Sequence, residues 1–219
     1  MTRRLVAAAV VLWLAAALLT VVVVRVGVPP VDQWLADALH SFAVENLWLA
    51  WLARVFAALG SAYVLFPLTF LVVVGLWRRH RWFAMWVAAC GLGGIVISQT
   101  MKRLIDRQRP VWDNPLHELS SPSFPSGHSM AGIYGYVVFG ILALVLLQQR
   151  WPGIVLIAIG VLMGPSRVAF GVHWPSDVLA GWLYACAWVC TVTAVMWWRL
   201  GPPPLDDRAD VRAEHSGQR

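Results

Sequence analysis

Six stretches of this chain, 5–24, 59–77, 82–101, 129–147, 153–172 and 178–198, are each long and apolar enough to cross a bilayer. No other feature restricts the fold so tightly. Of the 219 residues 59% are hydrophobic and 13% charged, against about 25% charged in an ordinary soluble domain. A soluble enzyme is therefore excluded, because one core of this size could not hide that much apolar surface, 14 tryptophans included. The expected fold is all-α, an integral membrane bundle of six transmembrane helices filling residues 1–198. Loops must be short, and a second large domain has no room.

Arg3 and Arg4 give the first run the look of a signal peptide. Its apolar length exceeds the usual 7 to 15 residues of such a peptide and no small-residue cleavage site follows, so a retained anchor is expected. Between the first and second runs, 31–58 interleaves Trp34, Leu35, Leu39, Phe42, Leu49 and Leu52 with Asp32, Asp37, His40, Glu45 and Arg54. That pattern reads as helix lying along the membrane interface, with a re-entrant cap as the other reading. Residues 199–219, with Pro202 to Pro204 and then mixed charge, read as a disordered cytoplasmic tail. Cys90, Cys186 and Cys190 all fall inside apolar runs and read as small core residues. The net charge of +6 sits mostly at the edges of the runs, which fits membrane anchoring and not nucleic acid.

An even number of spans puts both termini on one side. With the termini in the cytoplasm, ten of the 17 basic residues face that side and seven the other, and four of the seven crowd between Lys102 and Arg109. The positive-inside rule concerns loop charges without a task. If some of the seven serve a binding site, the rule favours cytoplasmic termini and an extracytoplasmic site.

Three segments could build that site. In Lys102–Arg109 four cations occupy eight positions at the end of the third run, and Lys102 is the one lysine in a chain that otherwise uses arginine. If helix continues, Lys102 and Arg109 share a face about 10 Å apart along the axis, and Pro110 then turns the chain away. Alternatively these cations only anchor the segment to headgroups. Phe124-Pro125-Ser126-Gly127-His128-Ser129 precedes the fourth run, where Ser126 can cap the helix and backbone N–H groups can meet an anion. His128 stands at that mouth as a group able to exchange protons near neutral pH. Between the last two runs, Arg167 is followed by His173 and, in the first turn after Pro175, by Asp177. A carboxylate accepting from one imidazole nitrogen fixes the tautomer and frees the other nitrogen as nucleophile or base. Spans three and four, like five and six, join on one side, so all three segments meet at one end of the bundle. The crowd of cations opposes a divalent metal ion.

Lys102-x6-Arg109-Pro110, Pro125-Ser126-Gly127-His128 and Ser166-Arg167-x5-His173-x3-Asp177 together resemble the three-part signature of the type 2 phosphatidic acid phosphatase family. The resemblance covers about residues 100 to 180. It implies a six-helix enzyme that hydrolyses lipid phosphates or diphosphates with no metal or other cofactor. It also implies that His173 attacks phosphorus, with Asp177 holding its ring, and that His128 protonates the leaving oxygen and then activates water. Lys102, Arg109 and Arg167, with Ser126 and the Gly127 backbone, would hold the phosphoryl oxygens. Candidate substrates are a polyprenyl diphosphate, phosphatidylglycerophosphate and phosphatidic acid, met in the plasma membrane without an obligate protein partner. A transporter or flippase for an anionic lipid would use the same cations without chemistry. Arg103 and Arg107 lie outside the signature and are open to two roles, binding a second phosphate or headgroup, or anchoring.

Overall fold

The computed structural model describes residues 1–204 except 114, 118 and 148. Among the described residues the chain is all-helical: α1 (Thr2–Val26), α2 (Pro30–Glu45), α3 (Leu47–Leu59), α4 (Ala62–Trp77), α5 (Arg81–Ile105), α6 (Gly127–Leu146), α7 (Trp151–Ala169) and α8 (Pro175–Leu200). Helices α1, α5, α6, α7 and α8 are long and apolar enough to cross a membrane. The chain is a multi-pass membrane protein, and lipid in place of water explains why Leu14, Leu18, Phe70, Leu92 and Val96 lie exposed on helix flanks. The sixth expected span, 59–77, coincides with α4 but is shorter than expected. Leu59 ends α3, Gly60 and Ser61 form a corner whose Ser61 hydroxyl donates to the Ala58 carbonyl, and α4 keeps 16 residues. At 1.5 Å per residue that is about 24 Å, short of the ~30 Å hydrocarbon core.

Segment 31–58, read as interfacial helix or as a re-entrant cap, is helical but not in one piece. It forms α2 and α3, bent by 110° at Asn46. There the Asn46 amide donates to the Phe42 carbonyl at 2.8 Å, and its own backbone leaves helical geometry. Trp34, Phe42, Trp48 and Trp51 remain exposed along the pair, while Asp32, Ala36, His40 and Ala43 are buried against the bundle. The amphipathic pattern is legible in the sequence; the residue at which the segment bends is not.

Small residues let the bundle close. A Cβ at Gly132 would strike the carbonyl oxygen of Gly160, so α6 and α7 touch backbone to backbone, and α6 takes a π-helical turn at Gly132–Val137. Trp82, Phe83, Trp86, Tyr136, Phe139 and Met163 belong to one buried hydrophobic cluster that reaches the α3–α4 corner, where the Tyr136 hydroxyl donates to the Leu59 carbonyl at 3.0 Å. Helix α1 lies along α8, with Trp13 Nε1 donating to Thr191 at 3.1 Å and Thr20 and Tyr184 sharing a hydrogen bond of 2.7 Å. Residues 199 and 200 extend α8, and 205–219 of the expected tail lie outside the described residues.

Candidate active site

Helix α5 ends at Ile105, four residues before Arg109, so Lys102 and Arg109 do not share a continuing helix face. Asp106 takes φ 44°, a left-handed cap whose N–H donates to the Lys102 carbonyl, and the chain turns there before Pro110 has any influence. The turn still brings the two cations together. Lys102 Nζ donates to the Pro122 carbonyl at 2.5 Å and Arg109 Nη2 to the same oxygen at 3.2 Å. Arg109 is held further by the Ser121 carbonyl at 2.7 Å and the Val172 carbonyl at 2.5 Å.

At the start of α6, Ser126 is the N-cap and its Oγ accepts from the Ser129 N–H at 3.3 Å, while its own N–H donates to the Asp177 carbonyl at 3.0 Å. The first turns of α6 and α8 are thus tied together. At Gly127 a Cβ would lie 3.7 Å from Lys102 Cε, so the lysine passes directly over this helix start. His128 Nε2 is 3.1 Å from the Ala57 carbonyl, which can only accept. That bond puts a proton on Nε2 and leaves Nδ1 as the exchanging nitrogen. The α3–α4 corner packs flat on this ring: a Cβ at Gly60 would sit 2.6 Å from His128 Cδ2.

Between α7 and α8, Gly171 (φ 76°) is crossed by His40 and Trp112, whose rings stack 4.2 Å apart, and a Cβ there would lie 2.6 Å from His40 Nδ1. Only glycine fits both the backbone angle and the space. The tight loop delivers His173 to the centre of the site, 2% exposed. Its Nδ1 faces Asp177 Oδ2 at 3.3 Å, and the same oxygen accepts the Trp174 N–H at 2.9 Å. Its Nε2 lies 3.1 Å from Arg109 Nη1, a donor, so Nε2 carries the lone pair. Burial first, and then the charges of Arg109, Arg167 and Lys102, hold His173 well below the ordinary imidazole value, which keeps it neutral at pH 7. Arg109 is drawn below its usual value by burial, with Asp177 opposing, and stays a cation.

Arg167, 1% exposed, lies over the Phe170 ring, and its Nε and Nη1 have no hydrogen-bond partner among the described residues. A buried guanidinium with two idle nitrogens is costly unless an anion completes it. The eight residues singled out in the sequence, Lys102, Arg109, Ser126, Gly127, His128, Arg167, His173 and Asp177, therefore converge at one end of the bundle. No three His, Cys, Asp or Glu side chains among the described residues are grouped as a metal ion would require.

Arg107 takes neither of the two roles left open for it, because its guanidinium is spent on two buried carboxylates. It is 8% exposed and turned inward, with Nη1 2.5 Å from Asp177 Oδ1 and Nη2 2.9 Å from Asp32 Oδ2. Arg103 remains exposed, and among the described residues Asp106 pairs with neither. A groove of about 420 Å³ runs between α4 and α5, lined by Leu65, Phe66, Phe70, Leu92 and Ile95, and ends at Ser98 and Gly127, beside Lys102.

The family model of the PAP2 superfamily matches residues 82–200. An undecaprenyl-diphosphatase of Sulfolobus acidocaldarius is 33% identical over 135 residues, 59% of this chain and 62% of that protein, so this chain spans less than two thirds of its length. Phosphatidylglycerophosphatase B of Bacillus subtilis is 32% identical over 167 residues, 67% of this chain and 82% of that one. A crystal structure of a transmembrane PAP2 type phosphatidylglycerolphosphate phosphatase from Bacillus subtilis superposes with a TM-score of 0.73 at 27% identity, covering 87% of this chain and 96% of that one.

Proposed function

Because this chain belongs to the PAP2 superfamily, we propose that it is a membrane lipid phosphatase working through a phosphohistidine at His173. One observation carries the reading: a buried imidazole fixed by Asp177 on one side presents its other nitrogen 3.1 Å from the Arg109 guanidinium. Transport of an anionic lipid would need the cations but not an oriented nucleophile. Arg109, Arg167, Lys102 and the N–H groups at the start of α6 hold the phosphoryl oxygens and neutralise charge as it spreads over them. The His173 Nε2 lone pair attacks phosphorus as the bond to the leaving oxygen breaks, and His128, which enters the step protonated on both ring nitrogens, gives that oxygen its Nδ1 proton. Nδ1 then takes a proton from water, whose oxygen joins phosphorus as the N–P bond breaks and its electron pair returns to Nε2.

The apolar groove between α4 and α5 supports a lipid substrate whose tail enters sideways from the bilayer while its phosphate rests at Gly127. A polyprenyl diphosphate, phosphatidylglycerophosphate and phosphatidic acid all satisfy that chemistry. The protein acts in the plasma membrane, with its termini cytoplasmic and the site extracytoplasmic, a sidedness supported by the distribution of arginines. Labelling of single cysteines placed in the α5–α6 loop from outside intact cells tests it; protection there would reverse it.

Purified protein in detergent, with chelator present, should release phosphate from one lipid of this panel well above a soluble phosphate ester. Release that vanishes with chelator and returns with zinc or magnesium would overturn the metal-free mechanism, and specific binding of lipid without release would favour transport. The pH profile is a second expectation. His173 attacks as the neutral imidazole, so its protonation lowers the rate as pH falls, and its depressed pKa puts the corresponding acid limb of kcat/KM below pH 6.5. A wild-type profile whose acid limb falls above pH 7 would contradict this assignment.

A further inference from the structure

The mechanism gives Asp177 one task, holding His173, yet only one of its oxygens faces the imidazole. The other, Oδ1, is taken by Arg107 Nη1 at 2.5 Å, and Arg107 is itself fixed at four further points. Nη1 also donates to Ser176 Oγ at 2.8 Å, and Nη2 donates to the Gly27 carbonyl at 2.8 Å and to Asp32 Oδ2 at 2.9 Å. The guanidinium also sits 5.8 Å from the Trp174 ring. Asp32 closes the loop: its Oδ1 accepts the Ser176 N–H at 2.8 Å, and the Ser176 hydroxyl donates to its Oδ2. Asp32, Arg107 and Asp177 are 2%, 8% and 0% exposed, a fully internal line of alternating charge. It runs from the first turn of α2, through the α5–α6 loop, to the first turn of α8.

Three charges buried together cost much of what their attraction returns, and apolar residues of similar volume often serve stability as well. Position is where the arrangement has an advantage. Asp177 feels the charges of Lys102 and Arg109, cations that would draw a loosely held carboxylate toward the phosphate site and away from the imidazole. Arg107 pins the far oxygen from the opposite side, and Asp32 sets where Arg107 can stand.

We infer that Asp32 and Arg107 are positioning residues for the nucleophile, acting on His173 through Asp177, so that the bent α2–α3 pair is a working part of the catalytic centre. Asp32 lies outside residues 82–200 that the family model matches, and the inference rests on the phosphohistidine reading above.

The test is single turnover, quenched in alkaline denaturant that preserves an N–P bond, of purified protein with a polyprenyl diphosphate labelled on its terminal phosphate, following label on the chain. Asp32→Asn keeps the shape and one acceptor, and should slow labelling about 10- to 100-fold at saturating substrate with little change in KM, as expected for an imidazole out of line. Arg107→Gln should slow it at least as much, and Arg107→Lys, which keeps the charge but not the fork, should restore part of the rate. In an Asp177→Asn background, Asp32→Asn should add less than about threefold, because the path through Asp177 is already cut. If Arg107→Gln does not elute as folded protein, Asp32→Asn and its double variant carry the test.

Labelling of Asp32→Asn within threefold of wild type would overturn the inference and leave the phosphatase reading intact. A full multiplicative loss in the Asp177→Asn background would also overturn it, since the pair would then act elsewhere. Phosphate release with no label on wild-type protein would end the phosphohistidine reading and this inference together.

Discussion

His173→Ala is expected to reduce lipid phosphate release by about 10⁴-fold or more while the protein stays folded and membrane-inserted. Loss of the nucleophile in a covalent mechanism leaves only binding and charge stabilisation, and such residues act as a unit. The fold should survive because His173 lies in the α7–α8 loop, whose shape is set by Gly171, Trp112 and the Trp174 cap on Asp177. What the change leaves behind is one unpaired lobe of Asp177, whose other contacts to Arg107 and the Trp174 N–H remain. Phosphate assay together with size-exclusion elution in detergent separates the two effects. Activity above a tenth of wild type in a well-folded variant would remove His173 as nucleophile.

Arg167→Met should be the second largest effect and runs in opposite directions for rate and stability. Removing one preorganised donor group from a transition state costs on the order of 100- to 1,000-fold. The guanidinium it removes is buried with Nε and Nη1 unpartnered, so the folded chain loses almost no hydrogen bonds and sheds a desolvated charge. The variant should therefore unfold at the same temperature as wild type or higher, while kcat/KM falls by that factor. A melting temperature several degrees lower with near-normal kcat/KM would mean that Arg167 serves the fold and not the phosphate.

Much of this was legible before any coordinates. Long apolar runs fix α-helix and membrane together, because a bilayer interior leaves the backbone no other partner. The site residues could be grouped because connectivity alone puts the three segments at one end. Two things escaped for the same physical reason, that direction at a helix end is set by one residue's backbone. Asp106 in the left-handed region ends α5 and swings Arg107 inward, whereas seven-residue spacing suggested a continuing face for Lys102 and Arg109 and left Arg107 to a second phosphate or to anchoring. Asn46 bends 31–58 in the same way, and composition carries no sign of it. A clue was available in Asp32, a carboxylate on the otherwise apolar face shared by Ala36, His40 and Ala43, since a buried charge demands a partner. The reach of His128 to the Ala57 carbonyl left no trace in the sequence, because any residue supplies a carbonyl.

A phosphoryl group carried on His173 is revealed by the site of covalent label after rapid quench. Wild-type protein mixed with terminally labelled polyprenyl diphosphate and denatured within the first turnover should carry phosphate that is labile to acid and stable to base. Peptide mapping should place it on His173. Label should accumulate in His128→Ala if that variant still forms the intermediate, because the water that clears it lacks its base. Phosphate released at full rate with no label on the chain, or label on a residue other than His173, would contradict the account.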